Sequence, residues 1–293
     1  MKVSVPATSA NLGPGFDTLG IALKVKNQVI IKPAKFHSVS LRGEGSNNPI
    51  LKDNNMFIAI FNDFYNNISH KKRSFRFEFV NEIPLSRGLG SSSAVIVSAI
   101  ASAYAIEGIE LPKQKLLNLA LAYESHPDNI TPAVMGGFTV ATVKDHEVQY
   151  IKKNIPKSLS AVVVVPNRPI STQLSRKTLP YKYSKEDAIF NISHSSLLTA
   201  AFMSENWDML RSASLDKFHQ KYRMKQMPEL FEVQKIALNA GTLMSTLSGS
   251  GSTLFSMCHF EDAKRIESVL REKFPHFKVF ISGFDNHGVK VEN

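Results

Sequence analysis

The chain has 293 residues, of which 43% are hydrophobic, enough for a packed core and for two domains. Its formal net charge is +10, yet the basic residues are dispersed, and the densest group, His70-Lys71-Lys72-Arg73, has no aromatic residues interleaved as a single-strand platform requires, which argues against nucleic acid as a partner. Cys258 is the only cysteine, so an internal disulfide is excluded and a zinc cage is disfavoured; no apolar run could span a bilayer, and the opening MKVSVPATSANLG lacks a signal-peptide apolar region. A cytoplasmic enzyme or binding protein with no membrane partner is expected.

In chain order, strands are expected at 2–6, 28–32, 38–42, 75–81, 137–143 and 147–151, with Phe75-Arg76-Phe77-Glu78-Phe79 alternating at the strand period. Helices are expected at 56–65, 92–104 and 113–123, with Pro112 at a position where helices begin. The charged, proline-broken stretch 152–158 reads as a boundary between residues 1–155 and 156–293. A core strand at 161–165 follows, then helical stretches at 186–203, 207–218 and 229–239. The end reads strand 253–259, helix 261–274 and strand 278–282, a second α+β layer. Cys258, beside Leu254, Phe255 and Met257, reads as a buried strand thiol.

Four segments carry chemistry. Pro84-Leu85-Ser86-Arg87-Gly88-Leu89-Gly90-Ser91-Ser92-Ser93-Ala94 lies between a strand and a helix. Glycines let the backbone approach a ligand, the helix start presents free N–H groups and positive potential, and serine hydroxyls add donors and a metal ligand. No lysine follows Gly90 and Ser93 replaces a third glycine, so the segment is neither a Walker A loop nor a dinucleotide fingerprint. Its chemistry alone leaves a phosphate site and a plain turn equally open.

At the N-terminus, Asn11 and Asp17 flank a Gly-Pro-Gly turn and offer an amide and a carboxylate for an ammonium or hydroxyl; an Asx-type turn is the plainer alternative. Glu124-Ser125-His126-Pro127-Asp128-Asn129 closes the predicted helix 113–123, either as part of a Mg²⁺ and hydroxyl site or as a charged helix-end turn. Ser248-Gly249-Ser250-Gly251-Ser252-Thr253 is a second Gly/Ser loop leading into a strand.

Together these segments resemble the GHMP family of small-molecule kinases, whose three motifs fall in the same order at 6–17, 84–94 and 248–253. In the third, Ser252 stands where the family usually has proline. PATSANLGPGFD, the 124–129 segment with Pro132 and Gly136-Gly137, and Ser171-Thr172-Gln173-Leu174-Ser175-Arg176 resemble the homoserine branch, not the sugar or mevalonate branches.

The resemblance implies an α+β, two-domain fold: an N-terminal ATP-binding domain of the ribosomal-protein-S5-domain-2-like kind and a C-terminal ferredoxin-like α/β sandwich. It implies ATP and Mg²⁺ as cofactors and L-homoserine as the acceptor, within threonine biosynthesis from aspartate. The 84–94 loop would bind ATP, with Ser92 and Glu124 on the metal. Asn11, Asp17, Asp128 and Asn129 would hold the amino and hydroxyl end, Arg176 and Arg223 the carboxylate. Thr172, His126 and Gly249 would line the pocket. Asp128, Asn11 and Arg176 are the catalytic candidates, Asp128 as base or as hydroxyl orienter. A homodimer is a family association. A kinase for another hydroxyl substrate and a catalytically silent regulator are the competing readings.

Overall fold

The computed structural model describes all residues except 70, 72, 171 and 293, with the side chains of 172 and 173 also outside the description. His70 and Lys72 of the basic cluster therefore lie outside the described residues. The elements run β1 (Lys2–Ala10), β2 (Leu19–Ala34), β3 (Ser38–Gly43), α1 (Ile50–Asp53), α2 (Met56–Ile68), β4 (Ser74–Asn81), α3 (Ser91–Ile106), α4 (Lys113–Ala120), α5 (Pro127–Met135), β5 (Phe138–Lys144) and β6 (Glu147–Lys153). They continue as β7 (Leu159–Val165), α6 (Thr172–Lys177), α7 (Lys185–Ser204), α8 (Leu210–Ala213), α9 (Gln220–Met224), α10 (Glu229–Asn239), β8 (Met244–Leu247), β9 (Leu254–His259), α11 (Ala263–Lys273), β10 (Lys278–Ser282) and β11 (Lys290–Glu292).

Two sheets result. The first has the order β11-β1-β2-β4-β3, with β5 pairing the start of β2 and β6 pairing β5; the second is an antiparallel sheet of order β10-β7-β9-β8. The chain passes from one sheet to the other between β6 and β7, and β11 returns to the first sheet beside β1. The Val162–Val165 run has a simple cause: β7 is buried on both faces. Ala161, Val163 and Val165 join the larger core, while Val162 and Val164 join a second core with Leu230, Ile266 and Leu270.

The helix α2 turns Phe57, Phe61 and Tyr65 onto Phe75, Phe77 and Phe79 of β4, with edge-on rings such as Phe57 and Phe79 at 5.0 Å. The helix α3 is buried through its middle, where Ala94, Ala99, Ala101 and Ala103 let β1, α2, α4 and α5 pack around it. Its N-terminus is thereby fixed beside β1, where Gly90 meets Thr8.

Three expectations need correction. Strand β1 continues to Ala10, so half of the N-terminal motif is strand and only residues 11–18 form the turn. The helix expected at 113–123 ends at Ala120, and Pro127 starts a new helix, which places Asp128 and Asn129 in a first turn and not at a helix end. The stretch 207–218 is a 3₁₀ turn, the four-residue α8 and irregular chain, because the side chain of Asp216 takes the amides of Phe218, His219 and Gln220 and ends any helix there.

Candidate active site

The phosphate-loop candidate spans the gap from β4 to α3. Gly88 and Gly90 adopt φ of +76° and +66°, and each is pressed against another motif. A Cβ on Gly88 would lie 2.1 Å from the Ser248 carbonyl oxygen, and one on Gly90 would lie 1.9 Å from Thr8 Oγ1. Hydrogen bonds complete the union: Thr8 N–H donates to Leu89 O, Thr253 N–H to Arg87 O, and Ser248 Oγ to Gly88 O. The loop is thus clamped between β1 and the 248–253 loop, which forms the β8–β9 hairpin. Arg87 spends its guanidinium on the chain itself, donating to the carbonyls of Pro166, Leu85 and Asn167. The first turn of α3 starts at Ser91, and Gly90 at its N-cap has no side chain to satisfy it, so the N–H groups of Ser91, Ser92 and Ser93 have no partner within the helix.

These amides open onto a cavity of about 530 Å³ with two unlike ends. One end is apolar, walled by Leu41, Leu51, Met56, Phe57 and Phe79 with Asn54 and Asn81 beside them. The other is lined by Asn11, Asp17, His126, Asp128, Arg176 and Arg223. The loop residues Pro84 to Ser93 lie between the ends, together with Glu124, Asn129 and Gly249. The structure thus brings nearly every predicted site residue to one volume. Ala94 is the exception in the loop, buried in the core behind it. Thr172 begins α6, but its side chain lies outside the described residues.

At the polar end, Asp17 has φ of +55° and its N–H donates to Asn11 Oδ1, while Asn11 Nδ2 donates to Gly249 O. Arg176 reaches over from α6 and binds Asp17 with both arms, and His126 Nδ1 lies 3.3 Å from the same carboxylate. Burial holds the His126 imidazole below its ordinary pKa against the pull of Asp17. Arg223 is 2% exposed, with Nη1 on Gly249 O and the guanidinium 5.1 Å from the Phe16 ring. Its Nε has no hydrogen-bond partner. Burial and the neighbouring Arg176 lower its pKa to about 10, which leaves it a cation at neutral pH.

Asp128 is a strongly perturbed carboxyl. It is 3% exposed and its Oδ1 has no partner. Burial, followed by the charges of Asp17 and Glu124, pushes its pKa up to about 8. Asn129, next in sequence, turns its Oδ1 to the Thr8 hydroxyl at 2.7 Å and so braces the loop from behind. Burial also raises the Glu124 carboxyl, despite a 2.5 Å hydrogen bond from Ser93 Oγ.

A magnesium ion fits this donor set. Among the described residues no cluster of three His, Cys, Asp or Glu could cage a metal, so protein ligands alone do not suffice. One carboxylate and adjacent hydroxyls, all oxygen, beside the N-terminal amides of α3 are the kind of donors Mg²⁺ uses when most of its shell is phosphate and water. The hydroxyl already on Glu124 is that of Ser93, while Ser92 is exposed at the loop's lip.

Sequence reasoning missed the apolar end. Its residues come from β3, α1, the start of α2 and the end of β4, and none forms a local motif. Only the Asn54-Asn55 pair gave a signal, since Asn55 caps α2 by accepting from Ile58 N–H. His219, Asp216 and Asn191, which hold the polar end from behind, were also unforeseen.

Residues 55–137 match the GHMP kinases N terminal domain and residues 195–276 the GHMP kinases C terminal family. The chain is 79% identical to the homoserine kinase of Aliarcobacter butzleri and 62% identical to that of Nitratiruptor sp., in both cases over 100% of each chain. Among solved structures, it is similar to the homoserine kinase of Cytophaga hutchinsonii, with a TM-score of 0.88, 26% identity and coverage of 100% of this chain and 97% of that one. A mevalonate kinase at 15% identity and a TM-score of 0.71, covering 98% of this chain and 100% of that one, shares the fold. The chain belongs to the homoserine kinases of the GHMP kinase family.

Proposed function

We propose that the chain transfers the γ-phosphoryl group of ATP to the side-chain hydroxyl of L-homoserine, giving O-phospho-L-homoserine for threonine biosynthesis. The observation that carries this reading is the two-ended cavity, with an apolar base site, a cradle of free amides and a carboxylate–guanidinium set in one volume. On this reading residues 1–155 form the ATP-binding half and 156–293 the half that closes the acceptor site. On this reading the protein works in the cytoplasm, where a kinase for a small metabolite finds ATP.

Phosphoryl transfer depends on alignment and charge neutralisation. The amides of Ser91–Ser93 take the phosphate oxygens, and the α3 dipole adds positive potential. Mg²⁺ held by Glu124 with Ser92 or Ser93 would neutralise charge on the nucleotide. The acceptor is a zwitterion. Its ammonium faces Asp17 and Asn11, and its carboxylate faces the forks of Arg176 and Arg223. Asp128, its carboxyl pushed up to about 8, is drawn toward the ionised form by an ammonium nearby, and as a carboxylate it orients the hydroxyl and can accept its proton.

Turnover of ATP against L-homoserine, L-threonine, L-serine, mevalonate and galactose tests the reading. L-Homoserine is expected to be the preferred acceptor. Turnover of none of the five, or preference for an acceptor with no amino group, would remove it.

A further inference from the structure

The acceptor end of the cavity is held from behind by a buried histidine. His219 is wholly buried, and its two ring nitrogens face different partners. Nε2 lies 2.8 Å from the carbonyl oxygen of Gly13, in the turn that carries Asn11 and Asp17. Nδ1 lies 3.3 Å from Arg223 Nη1. A carbonyl can only accept and a guanidinium can only donate. The ring must therefore be neutral, with its proton on Nε2 and its Nδ1 lone pair toward Arg223. Burial and the Arg223 charge oppose protonation, with Asp216 acting the other way, and the balance lowers the pKa of the ring.

The surrounding structure makes this arrangement rigid. Arg223 N–H donates to His219 O one helical turn back, so the two side chains rise from the same face. Asp216, its side chain wholly buried, takes the backbone amide of His219 at 3.0 Å and fixes where the ring starts. The turn opposite is seated just as closely. Gly13 has φ of +89°, and a Cβ there would lie 2.2 Å from Ser214 O. Asn191 Nδ2 donates to Pro14 O, while Asn191 Oδ1 accepts from Lys217 N–H. Phe16 then packs against both the His219 ring, at 5.3 Å, and the Arg223 guanidinium.

We propose that His219 is a positioning residue that sets the orientation of the Arg223 guanidinium through Nδ1 while its Nε2–H ties that guanidinium to the Gly13 turn, and that it thereby governs recognition of the acceptor's carboxylate. The proposal rests on the amino-acid acceptor argued above. Arg223 has its charge in any case; the histidine decides which donors face the cavity.

Two substitutions separate the two nitrogens. His219→Asn places an amide oxygen near the Nδ1 position, where it accepts from Arg223. His219→Gln places an amide nitrogen near the Nε2 position, where it serves Gly13 and leaves Arg223 Nη1 with Gly249 O but without the Nδ1 acceptor. We expect His219→Gln to raise KM for L-homoserine about tenfold or more, the loss that follows a misplaced charge-assisted hydrogen bond, with KM for ATP unchanged. His219→Asn is expected to stay within about threefold of wild type. The amino diol obtained by reducing the acceptor's carboxyl to an alcohol should lose the difference between wild type and His219→Gln. Equal losses in the two variants, an equal loss with the amino diol, or a raised KM for ATP would overturn the proposal. A wild-type protein inactive toward L-homoserine would instead overturn the assigned function. If either variant fails to fold, nitrogen-15 NMR of the wild-type imidazole decides: an Nε2–H tautomer that persists from pH 6 to 8 supports the proposal, and an Nδ1–H tautomer or imidazolium ends it.

Discussion

Arg176 and Asp17 form a two-pronged ion pair inside the cavity, Nη2 to Oδ1 at 2.7 Å and Nη1 to Oδ2 at 3.1 Å. They come from distant parts of the chain, the N-terminal turn and α6. Each is a natural partner for one end of a zwitterion, and without ligand they satisfy one another. Neither charge is left unpaired in a partly buried place, and an entering amino acid exchanges one internal pair for two external ones. An acceptor that carries only an acid or only an amine would leave one member of the pair without compensation.

Replacement of Arg176 should therefore act on the acceptor and not on the nucleotide. Arg176→Met is expected to raise KM for L-homoserine about 10- to 100-fold, with KM for ATP within about twofold of wild type. Arg176→Lys should recover only part of the loss, because an ammonium lacks the planar fork. Steady-state kinetics with each substrate varied in turn measures this, and an Arg176→Met enzyme with wild-type KM for the amino acid would refute it.

Asp128 links function to stability. Its carboxyl titrates near 8 in the folded protein and near 3.8 as a free side chain, so the fold prefers the protonated form. That contribution is complete below about pH 4 and is lost as the pH rises through 8. Asp128→Asn keeps the shape and removes the charge. Relative to wild type, its Tm should rise progressively between pH 4 and 8 and level off above, while kcat falls on the order of 100-fold. Thermal melts at pH 5 and 9 check the first half. A Tm difference that does not change with pH would disprove the cause assigned here.

The legibility of this chain followed the range of its signals. The Gly/Ser loops, the 11–17 turn and the 124–129 segment are local strings whose backbone demands show directly in residue type, and the structure gathers them into one cavity. The strand at 161–165 was plain because both faces of β7 are buried. The apolar end was hidden because Leu41, Leu51, Met56 and Phe79 are ordinary apolar residue types until the fold turns them toward a gap. Strand β8 was hidden because Met244–Leu247 is only four residues long, too short to display a period. His219 was unreadable for a different reason: a buried histidine acquires its meaning from Gly13, 206 residues away.

The loop glycines are constrained by neighbours as well as by φ. Gly90→Ala would force a methyl group into Thr8 Oγ1 at a left-handed backbone position, and Thr8 cannot move without releasing Asn129. Strain of this kind costs roughly 1–3 kcal/mol. A fall in Tm together with at least tenfold weaker ATP binding by calorimetry is expected. Gly108→Ala makes a useful control, since Gly108 shares a positive φ of +67° but nothing lies within 4 Å of its Cβ position. It should lose some stability and no ATP affinity. Equal losses of ATP binding in both variants would show that the clash with Thr8 is irrelevant.

Glu124 offers a way to separate metal binding from folding. Burial holds its carboxyl above the ordinary pKa, and it accepts a hydrogen bond from Ser93 Oγ, which can equally donate to an amide oxygen. Glu124→Gln should therefore leave Tm within a few degrees of wild type, or raise it slightly at alkaline pH. The Mg²⁺ concentration for half-maximal rate should rise about tenfold or more, because a charged oxygen ligand has become a neutral one. Titration of the rate with Mg²⁺ at saturating ATP reads this directly. An unchanged Mg²⁺ requirement would remove Glu124 from the metal site and leave the loop serines and phosphates to hold the ion.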